Sequence, residues 1–473
     1  MYKVLLLEFN EICPPLLDRW MGEGKLPNFA ALHRASQVFT TVADELDPEN
    51  LEPWIQWYSI HTGLPYSQHK VFHLTDGPRR DHVDVWQELQ KLDKSVMNCS
   101  SMNARAISGA RTFYLPDPWC ATEPAYPRAL EKFKAVVYRN VQEYSRGAVA
   151  APTLELAAFL LFLAGHGLST ATVAAILRQL LLERVAQRDV AWKRVPLLDQ
   201  LQFDVFRHYY RRLRPDFATF FVNSTAHLQH SYWRHMDPSL FMIKPSPEEM
   251  ETYGNAILFG YQAMDRLLHQ FFSLTDPQTV IILCSALSQQ PFLNRESRGG
   301  QHFYRLRDPA GFLRLIGVTP TLVEPIMTHQ YMLRFRNRSE AVQAMVVLQS
   351  IRLGNDRVFG IEHSADDSLS LGCQIFDRVE IDTELTGCGG YNNKLRFFDI
   401  LYPIDAVKSA RHHPEGVLWI RSGVPRVHRE HASILDIAPT IYDLMGVRPN
   451  TALSGASLAP QFESRHDLER QIA

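Results

Sequence analysis

Four short apolar runs set the limits on what this chain can become. KVLLL (3–7), FATFFVNST (217–225), TVIILCSAL (279–287) and GVLWIRSG (416–423) are each followed by polar or turn-forming residues. Unbroken apolar runs of that length suit strands buried on both faces, where no alternating polar side is needed. Helical patterns lie among them. Residues 13–36 contain the Pro-Asn helix start of KLPNFAALHRAS, and residues 54–62 end at Gly63. DIAPTIYDLMGV (436–447) has Pro439 near its first turn and Gly446 at its end. Strands alternating with helices predict an α/β fold with a doubly wound, mainly parallel sheet.

Two stretches break the alternation. Residues 121–212, with TVAAILRQLLLERVAQ at their centre, are helical in periodicity almost throughout and read as a helical insertion. Residues 300–395 mix short strand and helix patterns (HQYMLRF, SEAVQAMVVLQSI, DRVFGIEH, SLSLGCQIF) and predict a small α+β insertion, a cap. The core is then expected from 1–120, 213–299 and 396–473. No internal repeat is seen.

Composition narrows the partners. The chain has 49 basic and 51 acidic residues among 473, and a net charge of −2 offers no basic field for nucleic acid. Cys13, Cys99, Cys120, Cys284, Cys373 and Cys388 are scattered without a CxxC pair, so reduced, buried thiols are expected. The longest apolar stretch, 156–164, falls well short of the roughly 20 residues a membrane span requires. The apolar run at the N-terminus ends at Glu8, too early for a signal-peptide core. A soluble, cytoplasmic protein without a membrane span is expected.

Four segments together resemble a known family: VLLLEFNEI with LPNFAAL; WIQWYSIHTGLPYSQHKVF; AHLQHSYWRHMDPS; and HHPEGVLWIRSG with ILDIAPTIYDLMGV. Their order and spacing are similar to the type I phosphodiesterase/nucleotide pyrophosphatase branch of the alkaline-phosphatase superfamily, which also holds the sulfatases. TGLPYSQH and DIAPTIYDLMGV are the most specific pieces. The resemblance covers about 1–75, 217–290 and 405–460. It implies two metal ions, usually zinc, at the C-terminal ends of the strands, with a Thr or Ser nucleophile between them.

Set against that pattern, residue by residue, much of the site is altered. Glu8 stands where the family has its first aspartate, with Asn10 and Glu11 just beyond, and is expected to ligate a metal or touch substrate. The count back from the Gly63 of the Thr-Gly pair arrives at Pro53, which cannot be a nucleophile. Ser59 and Thr62 look structural, and Glu52 is the nearest group able to act as nucleophile or base. His230 matches the family histidine of the third segment, but Ala226 replaces its aspartate, and His227 is new. Ser285, Ala286, Leu287 and Ser288 replace Ser-Asp-His-Gly. His412, or its neighbour His413, matches the last family histidine.

The resemblance therefore implies one metal at most, zinc or manganese, held by His227, His230 and His412, with the second site lost. Asn10, Asn103, Asp117, Gln289, Gln290 and His302 are expected to meet substrate, and His69 to support its loop. The function expected is a divergent hydrolase or transferase of phosphate or sulfate esters, with surface polysaccharide metabolism as one setting. Its substrate would be a small molecule or glycan bearing an anionic group. The alternative is a catalytically inactive superfamily member that binds a glycan or nucleotide.

Overall fold

The computed structural model describes residues 2–48, 50–120, 122–142, 153–326, 329–365, 367–387, 395–404, 407–423 and 425–461. The chain opens with β1 (Lys3–Phe9), helices α1 (Pro14–Gly22) and α2 (Pro27–His33), and β2 (Ser36–Val42). The helix expected over 13–36 is thus two helices, parted by Gly24 at φ 71°, and a strand begins where it was expected to end. There follow α3 (Pro53–Thr62), α4 (Tyr66–His69), α5 (Val85–Lys91), β3 (Val96–Cys99) and β4 (Thr112–Leu115). Pro53 occupies the first turn of α3, where its missing N–H costs nothing, and Gly63 ends the helix in the left-handed region.

Four helices come next: α6 (Glu131–Gln142), α7 (Thr153–Gly165), α8 (Thr170–Val185) and α9 (Val195–Leu213). The chain then re-enters the sheet as β5 (Phe217–Val222). Helices α10 (Ser224–Met236), α11 (Pro247–Tyr253) and α12 (Ala256–Leu274) lead to β6 (Thr279–Cys284) and the short β7 (Ser288–Pro291).

A second unit lies beyond. It holds β8 (Tyr304–Leu306), α13 (Pro309–Leu315), β9 (Leu322–Pro325), β10 (Gln330–Arg334), α14 (Arg338–Ser350), β11 (Arg352–Leu353), β12 (Asp356–Arg357), β13 (Phe359–Ala365), β14 (Ser368–Cys373), α15 (Phe397–Ile400) and β15 (Leu401–Pro403). Four of its strands form an antiparallel sheet in the order β13-β14-β10-β9. Its hydrophobic core, with Tyr331, Leu333, Leu348, Leu369 and Phe397, is separate from the main one.

The chain returns as β16 (Ala410–His413), β17 (Glu415–Arg421), β18 (Arg426–Val427), β19 (Ala432–Ser433) and α16 (Ile437–Leu444). The large sheet runs β18-β2-β17-β6-β1-β5-β3-β4, with β19 also beside β2. The block β6-β1-β5-β3-β4 is parallel throughout, and β17 runs antiparallel to both β6 and β2. All four strands expected from the apolar runs lie in this sheet.

Helices cover both faces. Leu5, Leu7 and Phe9 of β1 pack with Leu17 and Trp20 of α1, Phe29 of α2, Phe203 and Phe206 of α9, and Phe271 of α12. Val4 and Leu6 face the other way, onto Trp57 and Ile60 of α3, Trp86 of α5, and Ile437 and Ile441 of α16. Cys13, Cys99, Cys120, Cys284 and Cys373 are buried free thiols; Cys388 lies outside the described residues.

Phe220 of β5 sits amid Phe203, Phe206 and Phe271, with ring centroids 6.2, 5.1 and 5.1 Å away and edge-to-face geometry. Phe220→Ala is expected to lower stability by about 4 kcal/mol through the cavity it leaves, read as an earlier urea midpoint by circular dichroism.

Candidate metal centre

The site grows from the point where β1 leaves the sheet. The Asn10 N–H donates to the Val222 carbonyl at 2.9 Å, extending the ladder by one bond. Glu11 then adopts φ 59°, a region costly for a residue with a Cβ, and the chain turns away. The turn is strapped down. Gln229 of α10 donates to the Glu11 carbonyl at 2.8 Å and accepts from the Tyr261 hydroxyl of α12 at 2.8 Å. That hydroxyl accepts from the Cys13 N–H at 2.7 Å.

The turn aims the Glu11 carboxylate at two imidazoles. Its Oε2 lies 3.4 Å from Nε2 of His230 and 3.4 Å from Nδ1 of His412. The two rings stand almost perpendicular, 5.2 Å apart. Gln289 donates its amide to the same Oε2. Asn10 reaches Oε1 at 3.4 Å, donates to Asn223 at 2.8 Å and accepts from the Trp57 indole at 2.8 Å.

Each histidine is oriented by a group behind it. His230 Nδ1 is 3.2 Å from the Ala410 carbonyl, which only an N–H can satisfy, so in the neutral ring its Nε2 lone pair faces Glu11. His412 is carried by the ribbon in which β16 pairs antiparallel with β7, opposite Gln289, and Gln290 donates to its carbonyl at 3.1 Å. Glu52, immediately before α3, meets His412 Nε2 at 3.2 Å. The opposite nitrogen, Nδ1, is buried without a hydrogen bond.

The electrostatics follow from burial. Desolvation raises the Glu11 carboxyl, but His412 and His230 together outweigh it and hold the group well below the usual range. Desolvation likewise lowers His412, and Glu11 and Glu52 outweigh it, raising the ring to about 10. Lys408, whose ammonium lies 5.0 Å over the Phe292 ring, is drawn down by burial while Glu52 and Glu11 pull it up. The carboxylate of Glu11 and one nitrogen from each of His230 and His412 all lie within 4.8 Å of one another. One carboxylate and two imidazoles, already turned towards a common point, fit a borderline divalent cation such as zinc or manganese.

The structure brings together Asn10, Glu52, His230, Gln289 and His412, with Gln290 supporting the ribbon. Glu11, named by the sequence reading only as a neighbour of Glu8, is at the centre, and Lys408 was not singled out at all. The acidic pair in LEFNEI was the available signal for Glu11: a second acid three residues on, past the strand end.

Other residues have different surroundings. His227, one turn before His230 on α10, is exposed and is not among the three groups that converge, contrary to the ligand set expected from the sequence. Desolvation, then His230, push its ring down to about 4. Glu8 has a different partner from the histidines expected: it faces the α3 side of β1 and pairs with His61 Nε2 at 2.8 Å, fully buried. Asn103 and Asp117 brace loops. Asn103 accepts from the Gly77 N–H at 2.7 Å, and Asp117 accepts from the Trp119 N–H at 3.0 Å. The His302 N–H bonds to Phe376, at the edge of the second unit. Ala286 and Leu287 are buried among apolar side chains. The Ser285 hydroxyl accepts from the Val417 N–H at 3.0 Å, and the Thr62 hydroxyl donates to the Tyr58 carbonyl at 2.8 Å. His413 accepts from the Glu415 N–H at 3.2 Å, so of the two neighbours it is His412 that joins the cluster.

No protein-family profile matches the chain, and no curated protein matches it. Solved structures do, all at low identity. Phosphonoacetate hydrolase from Sinorhizobium meliloti with phosphonoformate is 13% identical, with 94% of this chain and 95% of that chain covered and a TM-score of 0.41. Murine ectonucleotide pyrophosphatase/phosphodiesterase 5, an inactive variant with AMP, is 10% identical over 96% and 98%, TM-score 0.39. A mutant of the alkaline phosphatase PafA is 12% identical over 97% and 98%, TM-score 0.45.

Tyr261→Phe leaves the Cys13 N–H and Gln229 without their shared partner. It is expected to cost about 1–3 kcal/mol, seen as a lower denaturant midpoint. His69 Nδ1 accepts from the Val71 N–H at 3.0 Å, so its Nε2–H donates to the Ser59 hydroxyl at 3.0 Å and the ring is neutral. Burial holds its pKa down to about 3, below the unfolded value of about 6.5. Between those values the unfolded chain binds the extra proton, so His69 loses stability as pH falls from 6.5 towards 3. Its share of the loss from pH 7 to pH 5 is about 2 kcal/mol. Urea unfolding at both pH values is expected to show that increment missing in His69→Gln.

Proposed function

We propose that this chain is a single-metal hydrolase or transferase acting on a phosphate ester or a related anionic ester, with the cation held by Glu11, His230 and His412. One observation carries the reading: two imidazole nitrogens converge on one buried carboxylate oxygen, and one of them, His412 Nδ1, has no hydrogen-bond partner. A divalent cation bound there would polarise an ester oxygen and acidify a water molecule.

The chain's own groups have defined parts in this reading. Glu52 lies 3.2 Å from Nε2 of His412 while Nδ1 faces Glu11, a carboxylate beside a ligand histidine of the kind that tunes metal sites. The Ala410 carbonyl does the same for His230. Gln289 and Asn10 keep the Glu11 carboxylate turned inward. Lys408 and His227 stand near enough, electrostatically, to meet an anionic substrate or to complete the ligand set.

Support for one metal rather than two comes from what fills the family's other positions. Glu8 is engaged by His61, Ala286 and Leu287 are buried and apolar, and Pro53 offers no hydroxyl. With no hydroxyl at that place, transfer to water or directly to an acceptor replaces a phospho-enzyme. The same losses favour the second reading, a relative that binds a nucleotide or glycan without turning it over.

Elemental analysis of untagged protein separates these. About one zinc or manganese per chain is expected, falling at least tenfold in Glu11→Gln and His412→Ala, and about tenfold in affinity in Glu52→Gln. Turnover of bis(p-nitrophenyl) phosphate that tracks metal content supports the enzyme. Metal without turnover of any ester, together with nucleotide or glycan binding, supports the second reading. A metal-free protein whose properties ignore Glu11→Gln overturns both the ligand set and the chemistry.

A further inference from the structure

Helices α7 and α8 each leave an apolar side exposed that the proposed metal centre does not use. On α7 the exposed side is made by Leu154, Leu156, Ala157, Leu160, Leu161 and Ala164, with Leu154 87% and Leu161 75% accessible. That side has no charged residue. The one acid of α7, Glu155, is turned to Arg139 at 2.9 Å. Helix α8 follows across a four-residue turn, 166–169. It exposes Val173, Leu177, Leu180, Leu181 and Val185, with Leu177 61% and Val185 67% accessible.

Charge on this surface has one sign. The exposed charges of α8 are Arg178 and Arg184, and its one acid, Glu183, is held by Arg194. Among the described residues no acid lies within ion-pair distance of Arg178 or Arg184. Water-facing leucines in such number, on two consecutive helices, mark a surface meant to be covered. Leucines interspersed with arginines and stripped of acids complement an anionic lipid surface, where leucine enters the acyl boundary and arginine meets the headgroups. A second copy of the chain suits the surface less well. It would set like charges against each other across a twofold axis.

We propose that the α7–α8 segment docks this protein on anionic membranes as a peripheral, non-spanning attachment. No described helix is long and apolar enough to cross a bilayer, so the contact is interfacial. No residue named for the metal centre belongs to α7 or α8, so substitutions on these helices test docking without altering a metal ligand.

The test uses the full chain and sucrose-gradient flotation with vesicles of phosphatidylcholine and phosphatidylglycerol in equal parts, and with phosphatidylcholine alone. The protein is expected to float with the anionic vesicles, at least tenfold more than with the neutral ones, and to be released by high salt. The double variants Leu160→Glu/Leu161→Glu and Leu177→Glu/Leu181→Glu alter exposed positions only, and circular dichroism melts check that they remain folded. Each is expected to lose at least tenfold in bound fraction. Arg178→Glu/Arg184→Glu, which leaves every leucine in place, is expected to lose the anionic preference. Absence of flotation with anionic vesicles overturns the proposal. So does a dimer, seen by light scattering, that the leucine variants split into monomers without changing flotation; the surface would then belong to a second copy.

Discussion

The architecture depends on the burial of β1 on every side. It is hydrogen-bonded to β5 along one edge and β6 along the other, and helices cover both of its faces. Such a strand can carry a polar side chain only where the fold brings a partner to it. Glu8 is the single acid within β1, and His61 is delivered to it by α3. Past Phe9 the ladder ends, the backbone turns at Glu11, and groups from α10, β7, β16 and the start of α3 meet at the strand's C-terminal end. Open parallel sheets gather ligands at that edge because there the connections splay apart.

Charge balance then ties distant segments together. A carboxylate as deeply buried as Glu11 is untenable alone, and its compensation comes from rings 219 and 401 residues away in sequence. His412 is itself charged only because carboxylates lie on two sides of it. The cluster is therefore a mutual arrangement: Glu11 and His412 hold each other in their ionic forms, and a divalent cation would enter by displacing protons from the same atoms.

How much of this the sequence disclosed can be judged strand by strand. The apolar runs of β1, β5, β6 and β17 were legible because strands buried on both faces need no polar alternation. β2, SQVFTTV, was hidden by its polar residues and by the helix just before it; its Gln37 is buried through pairing with Ser422 and His428, and its Thr41 is buried with the hydroxyl unpaired. β3 and β4, at four residues each, are too short to show a period. His230 and His412 were legible through family spacing, and Glu52 as the acid beside Pro53, where the count back from Gly63 arrives. Glu11 was not assigned, since its orientation is set by a positive φ and by Gln229, and neither leaves a mark in a linear pattern. Asn103 and Asp117 show the opposite difficulty: loop-bracing polar residues have the same composition as ligand-binding ones.

The strand order has a consequence for how the molecule comes into being. Every neighbour of β2 in the sheet (β17, β18 and β19) belongs to the last sixth of the chain. A nascent polypeptide emerging from the ribosome can close the parallel block as soon as β6 is out. Its second segment must wait, unpaired, for β17 to insert between β2 and β6. His412 arrives three residues ahead of that insertion. The cluster of Glu11, His230 and His412 is thus a late event in biogenesis: a stalled or clipped product lacks both the closing strand and the second imidazole.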